Sequence, residues 1–93
     1  MNVEIELILA EVTRATVKFP TWPTDPLHAV AVIGEEFGEL TQAVLEHTYE
    51  PEKSTHADVV KEARQTAAMA IRFCLSLQDY SYRRAPQHTQ APV

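Results

Sequence analysis

The sequence predicts an all-α protein, an antiparallel bundle of three main helices. Three observations carry the prediction: three segments have apolar residues at helical spacing, prolines and capping residues separate them, and no alternating strand or hairpin pattern intervenes. At 93 residues the chain holds one domain with one core. A core of that size buries a modest share of the surface, so partner chains are expected.

The first helix is expected to start after Asn2, whose side chain suits an N-cap, and to run to about Phe19. Val3, Leu7, Ala10, Ala15 and Val17 are among its apolar positions, and Glu4 and Glu6 favour its positive end. Pro20, Pro23 and Pro26 stop it, because each removes an amide donor and restricts the residue before it. The stretch Pro20-Thr21-Trp22-Pro23-Thr24-Asp25-Pro26 is therefore an ordered loop. Asp25 followed by Pro26 has the pattern of an N-cap and first helical residue, and the second helix should reach His47 or Tyr49.

Rotation by about 100° per residue gathers Val30, Ile33, Phe37, Leu40 and Val44 on one side of the second helix, which is expected to build core. His28, Glu35, Glu39, Gln42 and Glu46 gather on the other, with Glu36 at the boundary. Glu50-Pro51-Glu52-Lys53-Ser54 forms the next turn, and Ser54 or Thr55 caps a third helix extending to about Asp79. Its broad apolar face comprises Val59, Val60, Ala63, Ala67, Ala70, Ile71, Cys74 and Leu77, whose alanines allow close helix approach. Asp58, Glu62, Gln65 and Met69 follow one edge. Residues 1–82 form the domain, and 83–93, which lack periodicity, are expected to be a mobile tail.

Charge and cysteine content narrow the function classes. Thirteen acidic against eight basic residues argue against nucleic-acid binding, which favours a basic contact face. Cys74, the single cysteine, permits no internal disulfide and points to a cytoplasmic protein. The N-terminus lacks the pattern of a signal peptide, and no apolar run approaches the roughly 18 residues of a membrane span.

Gly34-Glu35-Glu36-Phe37-Gly38-Glu39 concentrates three carboxylates and both glycines of the chain in one and a half turns. Glycine inside a helix costs about 1 kcal/mol relative to alanine, and like charges at this spacing repel. On spacing alone the run reads either as a solvated helix face or as a divalent-cation site. The site reading requires Glu62 on the third helix to face Glu36 and Glu39 across a short turn. Such an oxygen-only set suits Mg2+ or Mn2+. Zinc fits poorly, since Cys74 stands alone and His28, His47, His56 and His88 have no zinc spacing. A di-iron bundle is ruled out by the lack of Glu-x-x-His. Elsewhere the plain readings hold: Met69 and Phe73 in the core, Cys74 a small buried hydrophobe, Arg72 a surface partner for a carboxylate, His28 a capping or surface residue. Trp22 either staples the core or walls an aromatic pocket.

These residues resemble the all-α nucleoside triphosphate pyrophosphohydrolases of the MazG-like superfamily, including its short phage-type members. Val32-Ile33-Gly34-Glu35-Glu36-Phe37-Gly38-Glu39-Leu40 is similar to that family's Glu-Glu-x-x-Glu helix. Val60-Lys61-Glu62-Ala63-Arg64-Gln65-Thr66-Ala67-Ala68-Met69-Ala70 is similar to its second acidic helix, although Gln65 stands where the family usually has aspartate. With the Pro20-Thr21-Trp22-Pro23 approach, the resemblance covers roughly residues 15 to 78.

The resemblance implies hydrolysis of a nucleoside triphosphate between its α- and β-phosphates, in control of nucleotide pools, with two or more Mg2+ or Mn2+ ions per site. It implies Glu36, Glu39 and Glu62 as metal ligands. Glu35 is a further ligand or the group that orients the attacking water, and Glu35 or Glu36 is the acceptor of the water's proton. Asp58 or Gln65 completes the set, or Gln65 contacts the nucleotide; Lys18, Arg64 or Arg72 contacts the phosphates and Trp22 stacks on the base. Purine triphosphates, dGTP and GTP first, are the expected substrates. Completion of the bundle into four-helix type by pairing of chains is implied too, as a homodimer or a tetramer of dimers with active sites near the subunit contact. The alternatives are a non-catalytic helical protein-interaction module, in which the glutamates are only a solvated face, and a nucleotide-binding sensor.

Overall fold

The computed structural model of the chain describes residues 2–82; the tail expected over 83–93 lies outside them. Three helices, α1 (Val3–Lys18), α2 (Pro26–Tyr49) and α3 (His56–Leu75), are followed by a 3₁₀ turn at Leu77–Asp79, and there is no strand among the described residues. The caps follow the sequence. The Asn2 side chain accepts from the amide of Glu4, and Asp25 accepts from that of Leu27. Thr55 and Asp58 form a reciprocal capping box at the start of α3. Helix α3 ends at Leu75, four residues before the expected Asp79, and the chain tightens into the 3₁₀ turn there.

α3 is the shared wall of the bundle. It packs against both α2 and α1, whereas α1 and α2 do not pack on each other among the described residues. α2 and α3 run antiparallel, with His47 beside Ser54 and His56 at the turn and Glu36 and Glu39 opposite Glu62 further on. α1 runs parallel to α3: Arg64 holds Glu4 at one end, and Arg72 donates to the Phe19 carbonyl at the other. No helix among the described residues is long and apolar enough to cross a membrane.

The core is small. Ala15, Ala68 and Met69 are its buried centre, with Val12, Trp22, Val32 and Ile33 packed against it, and no large side chain among the described residues is fully buried. On α2 the side turned to α3 is centred on Ala29, Glu36 and Ala43, spaced by seven residues, and not on the apolar stripe. Ile33 and Leu40 are half-buried, but Val30, Phe37 and Val44 are exposed. Small side chains at 29 and 43 let the helix axes come close, so the contact is rotated away from the bulky residues. The expectation that all five build core is thereby corrected.

Two further expectations on α3 change. Cys74 is exposed, because its rotation about α3 places it opposite the side that carries the buried Ala68, Met69 and Arg72. Arg72 is buried at 7 % exposure, and its charge is met by a carbonyl and an aromatic face: its guanidinium donates to the Phe19 carbonyl at 2.7 Å and lies 4.8 Å from the centre of the Trp22 ring. The Trp22 indole in turn donates to the Tyr80 hydroxyl at 2.8 Å, which donates to the Phe73 carbonyl at 3.1 Å. The Ser81 amide bonded to the Thr24 carbonyl fastens the same loop.

Removing the Tyr80 hydroxyl leaves the Trp22 indole N–H unpartnered in a half-buried site, while the Phe73 carbonyl keeps the Ser76 amide. Tyr80→Phe is therefore expected to lower unfolding free energy by about 1–3 kcal/mol in urea titration. Thr55→Ala, which removes the N-cap of α3, should lower it by about 1 kcal/mol.

Candidate metal centre and adjoining cleft

Glu36 and Glu39 stand one turn apart on α2, and Glu62 faces them from α3. One carboxylate oxygen from each lies within 4.8 Å of the other two. Glu36 and Glu62 are half-buried and Glu39 is exposed, so the cluster is open on one side. Oε2 of Glu36 and Oε2 of Glu62 are buried without a hydrogen-bond partner. Buried unpartnered carboxylate oxygens are costly, and a hard cation bridging them removes that cost. The donor set fits Mg2+ or Mn2+.

The electrostatics agree. Burial, followed by the charges of Glu39, Glu62 and Glu35, raises the pKa of Glu36 above its ordinary value. Glu62 is likewise raised, first by burial and then by its contact with Glu39. Among the described residues no lysine or arginine forms an ion pair with the triad, and the nearby charge of Lys61 opposes the upward shift at Glu62 only in part.

On one side of the triad is a cleft of about 400 Å³ between α1 and α2, floored by α3. Glu36 lines it, together with Glu35 on the same wall. The α1 wall presents Glu11, Arg14 and Lys18, and Gln65, Met69 and Arg72 form the floor beneath Trp22. Arg14 is held by Glu11, with Nε 2.9 Å from Oε2, and this contact lowers the pKa of Glu11. Lys18 lies over the Phe19 ring and has no carboxylate partner among the described residues. On the other side a shallower groove of about 270 Å³ carries Glu39, Glu62, Asp58, Glu46 and Lys53.

The structure thus brings Glu36, Glu39 and Glu62 together and sets Glu35, Gln65, Lys18, Trp22 and Arg72 around the adjoining cleft. Asp58 lies in the groove, with its Oδ2 occupied by the amide and hydroxyl of Thr55. Arg64 is committed to Glu4 through two hydrogen bonds. Trp22 does both things expected of it, packing on the core and walling the cleft. Arg14 and Glu11 were not anticipated in the cleft, although Glu11, Arg14, Ala15 and Lys18 share one helix face by their spacing of three and four.

No family model, curated protein or solved structure matches the chain.

A folded-state pKa raised above the unfolded value of 4.5 contributes stability below that value, and the contribution is lost as pH rises through the folded pKa. In chelator, Glu36→Gln is therefore expected to raise the melting midpoint by a few degrees at pH 8 and to give no gain near pH 4. A midpoint unchanged at pH 8 would count against a strained, metal-free carboxylate cluster.

Proposed function

We propose that the chain is a metal-dependent nucleoside triphosphate pyrophosphohydrolase. It converts a ribo- or deoxyribonucleoside triphosphate, with dGTP and GTP as first candidates, to the monophosphate and pyrophosphate, and serves nucleotide-pool control in the cytoplasm. The carrying observation is the convergence of Glu36, Glu39 and Glu62 with two buried unpartnered oxygens, where Glu36 also lines a cleft walled by an aromatic ring. The resemblance to MazG-like enzymes supplies the reaction.

Bare carboxylates repel a triphosphate of about four negative charges, so the cluster favours such a substrate only when cations reverse the local field. When bound, two or more Mg2+ or Mn2+ ions lower the pKa of a coordinated water and neutralise charge on the departing pyrophosphate. Glu36, Glu39 and Glu62 hold the ions, with Asp58 as a candidate for completing the charge. Glu35, on the same cleft wall as Glu36, orients the attacking water, and Glu35 or Glu36 accepts its proton. Lys18 offers an ammonium without a carboxylate partner to phosphate oxygens. Arg72, with one N–H engaged by Phe19, retains further donors facing the cleft. Trp22 stacks on the base, and its broad ring suits a purine. The chain works as a homodimer or a dimer of dimers, in keeping with a core that fully buries no large side chain among the described residues.

A nucleotide-binding sensor is the second reading, favoured by the neutral Gln65 in the cleft floor. Thermal melting and product release separate the two. The midpoint should rise with Mn2+ plus dGTP for either, but pyrophosphate appears only for the enzyme. Glu36→Ala and Glu39→Ala should each reduce pyrophosphate release by at least about 100-fold. Undiminished release by both variants rejects the assignment of the site.

A further inference from the structure

The side of α2 turned away from α3 carries no charge. Leu27, Val30, Ala31, Gly34, Phe37, Gly38, Thr41, Val44 and Leu45 occupy a continuous arc there, each of them exposed. The glycines lie at its centre, on the opposite side of the helix from the Glu36 carboxylate. A Cβ added at Gly34 or Gly38 meets nothing within 4 Å, so packing inside the chain requires neither glycine. Both cost helix stability, and close approach by a second backbone is what a glycine pair at i, i+4 permits.

The order of residues along the arc identifies the occupant. Read outward from residue 36, glycine answers glycine at 34 and 38, a small side chain answers a small one at 31 and 41, and leucine answers leucine at 27 and 45. Around Phe37, Val30 answers Val44 in the same way. A face that reads alike in both directions is complementary to itself about a two-fold axis. We propose that α2 pairs antiparallel with α2 of a second copy of this chain, the axis passing near residues 36 and 37 and the two glycine pairs in contact.

The area is of the order an interface needs. Leu27, Val30, Phe37, Val44 and Leu45 are 80, 51, 59, 42 and 52 % exposed. With the small residues between them they form one apolar face on the order of several hundred Å², at or above the largest patch usual on a monomer and approaching the roughly 800 Å² per partner of a stable interface. The exposed apolar residues near the start of α1 make no such face, since Val3 and Leu7 lie opposite Ile5 and Leu9 with Glu4 and Glu6 interspersed, whereas the α2 face continues at Leu27 and Val30 into an apolar cavity of about 490 Å³ shared with Phe73 and Tyr82. The pairing specifies the self-association proposed above, but not the reaction. It sets the glutamate triad of each copy on the far side of its helix, away from the seam, in contrast to the expectation of active sites near the subunit contact.

Sedimentation equilibrium and cysteine cross-linking in a Cys74→Ser background test it. The dimer should be present at about 10 µM, and Gly34→Leu with Gly38→Leu should weaken it at least about tenfold while circular dichroism shows the helices kept. Phe37→Cys should cross-link to itself. Val30→Cys should cross-link to Val44→Cys in a mixture but not to itself, since antiparallel strands of helix put like residues about 21 Å apart, beyond disulfide reach. A monomer at all concentrations, a dimer indifferent to the leucines, or self-cross-linking at Val30→Cys overturns the proposal. The melting response to Mn2+ and dGTP, read on the same leucine variant, reports on the site separately, because neither glycine touches it.

Discussion

The close contact between α2 and α3, made at Ala29 and Ala43, is the constraint on which the other features depend. Bulky residues there would hold the helices apart and leave every carboxylate between them solvated. With alanines the axes approach, and Glu36, at the midpoint between them in sequence, is carried into the interface opposite Glu62. The chain thus spends part of its small buried surface on like charges. Burial and mutual repulsion act in the same direction on these groups, opposed at Glu62 by the nearby charge of Lys61.

A second group of contacts keeps the cleft open. Helix α1 reaches α2 only through α3 and the proline-rich loop, so the gap between them is held by what fastens that loop. Arg72 does so from below, with its bond to Phe19 and its stacking on Trp22. Tyr80 does so from the C-terminal side, accepting from Trp22 and donating to Phe73. Trp22 borders the cleft and is held from outside it by Tyr80 and Phe73 and from the floor by the buried Arg72 guanidinium.

Much of this was legible in the sequence, and the exceptions have physical reasons. Asn2, Asp25 and Thr55 announced the helix starts because a cap is a local interaction between residues two or three apart. Facing of Glu62 toward Glu36 and Glu39 was foreseeable from a short turn between antiparallel helices. Burial was read less well, since periodicity reveals that a face is apolar but not what covers it: Val30, Phe37 and Val44 are apolar and exposed. Arg72 was misread because its partners, a carbonyl and an indole fifty residues away, leave no signature near it in the chain.

Glu36 belongs to two neighbourhoods at once, the triad and the cleft. A lineage that altered this side chain to admit a different guest would disturb the charge balance of the triad in the same step. The opposite wall is held by contacts of its own, Arg14 to Glu11 and Lys18 over Phe19, on a helix whose backbone stands apart from α2 among the described residues. The charge balance of the triad and the make-up of the far wall thus lie on different helices, joined across the cleft by the charge of Arg14 acting at Glu36.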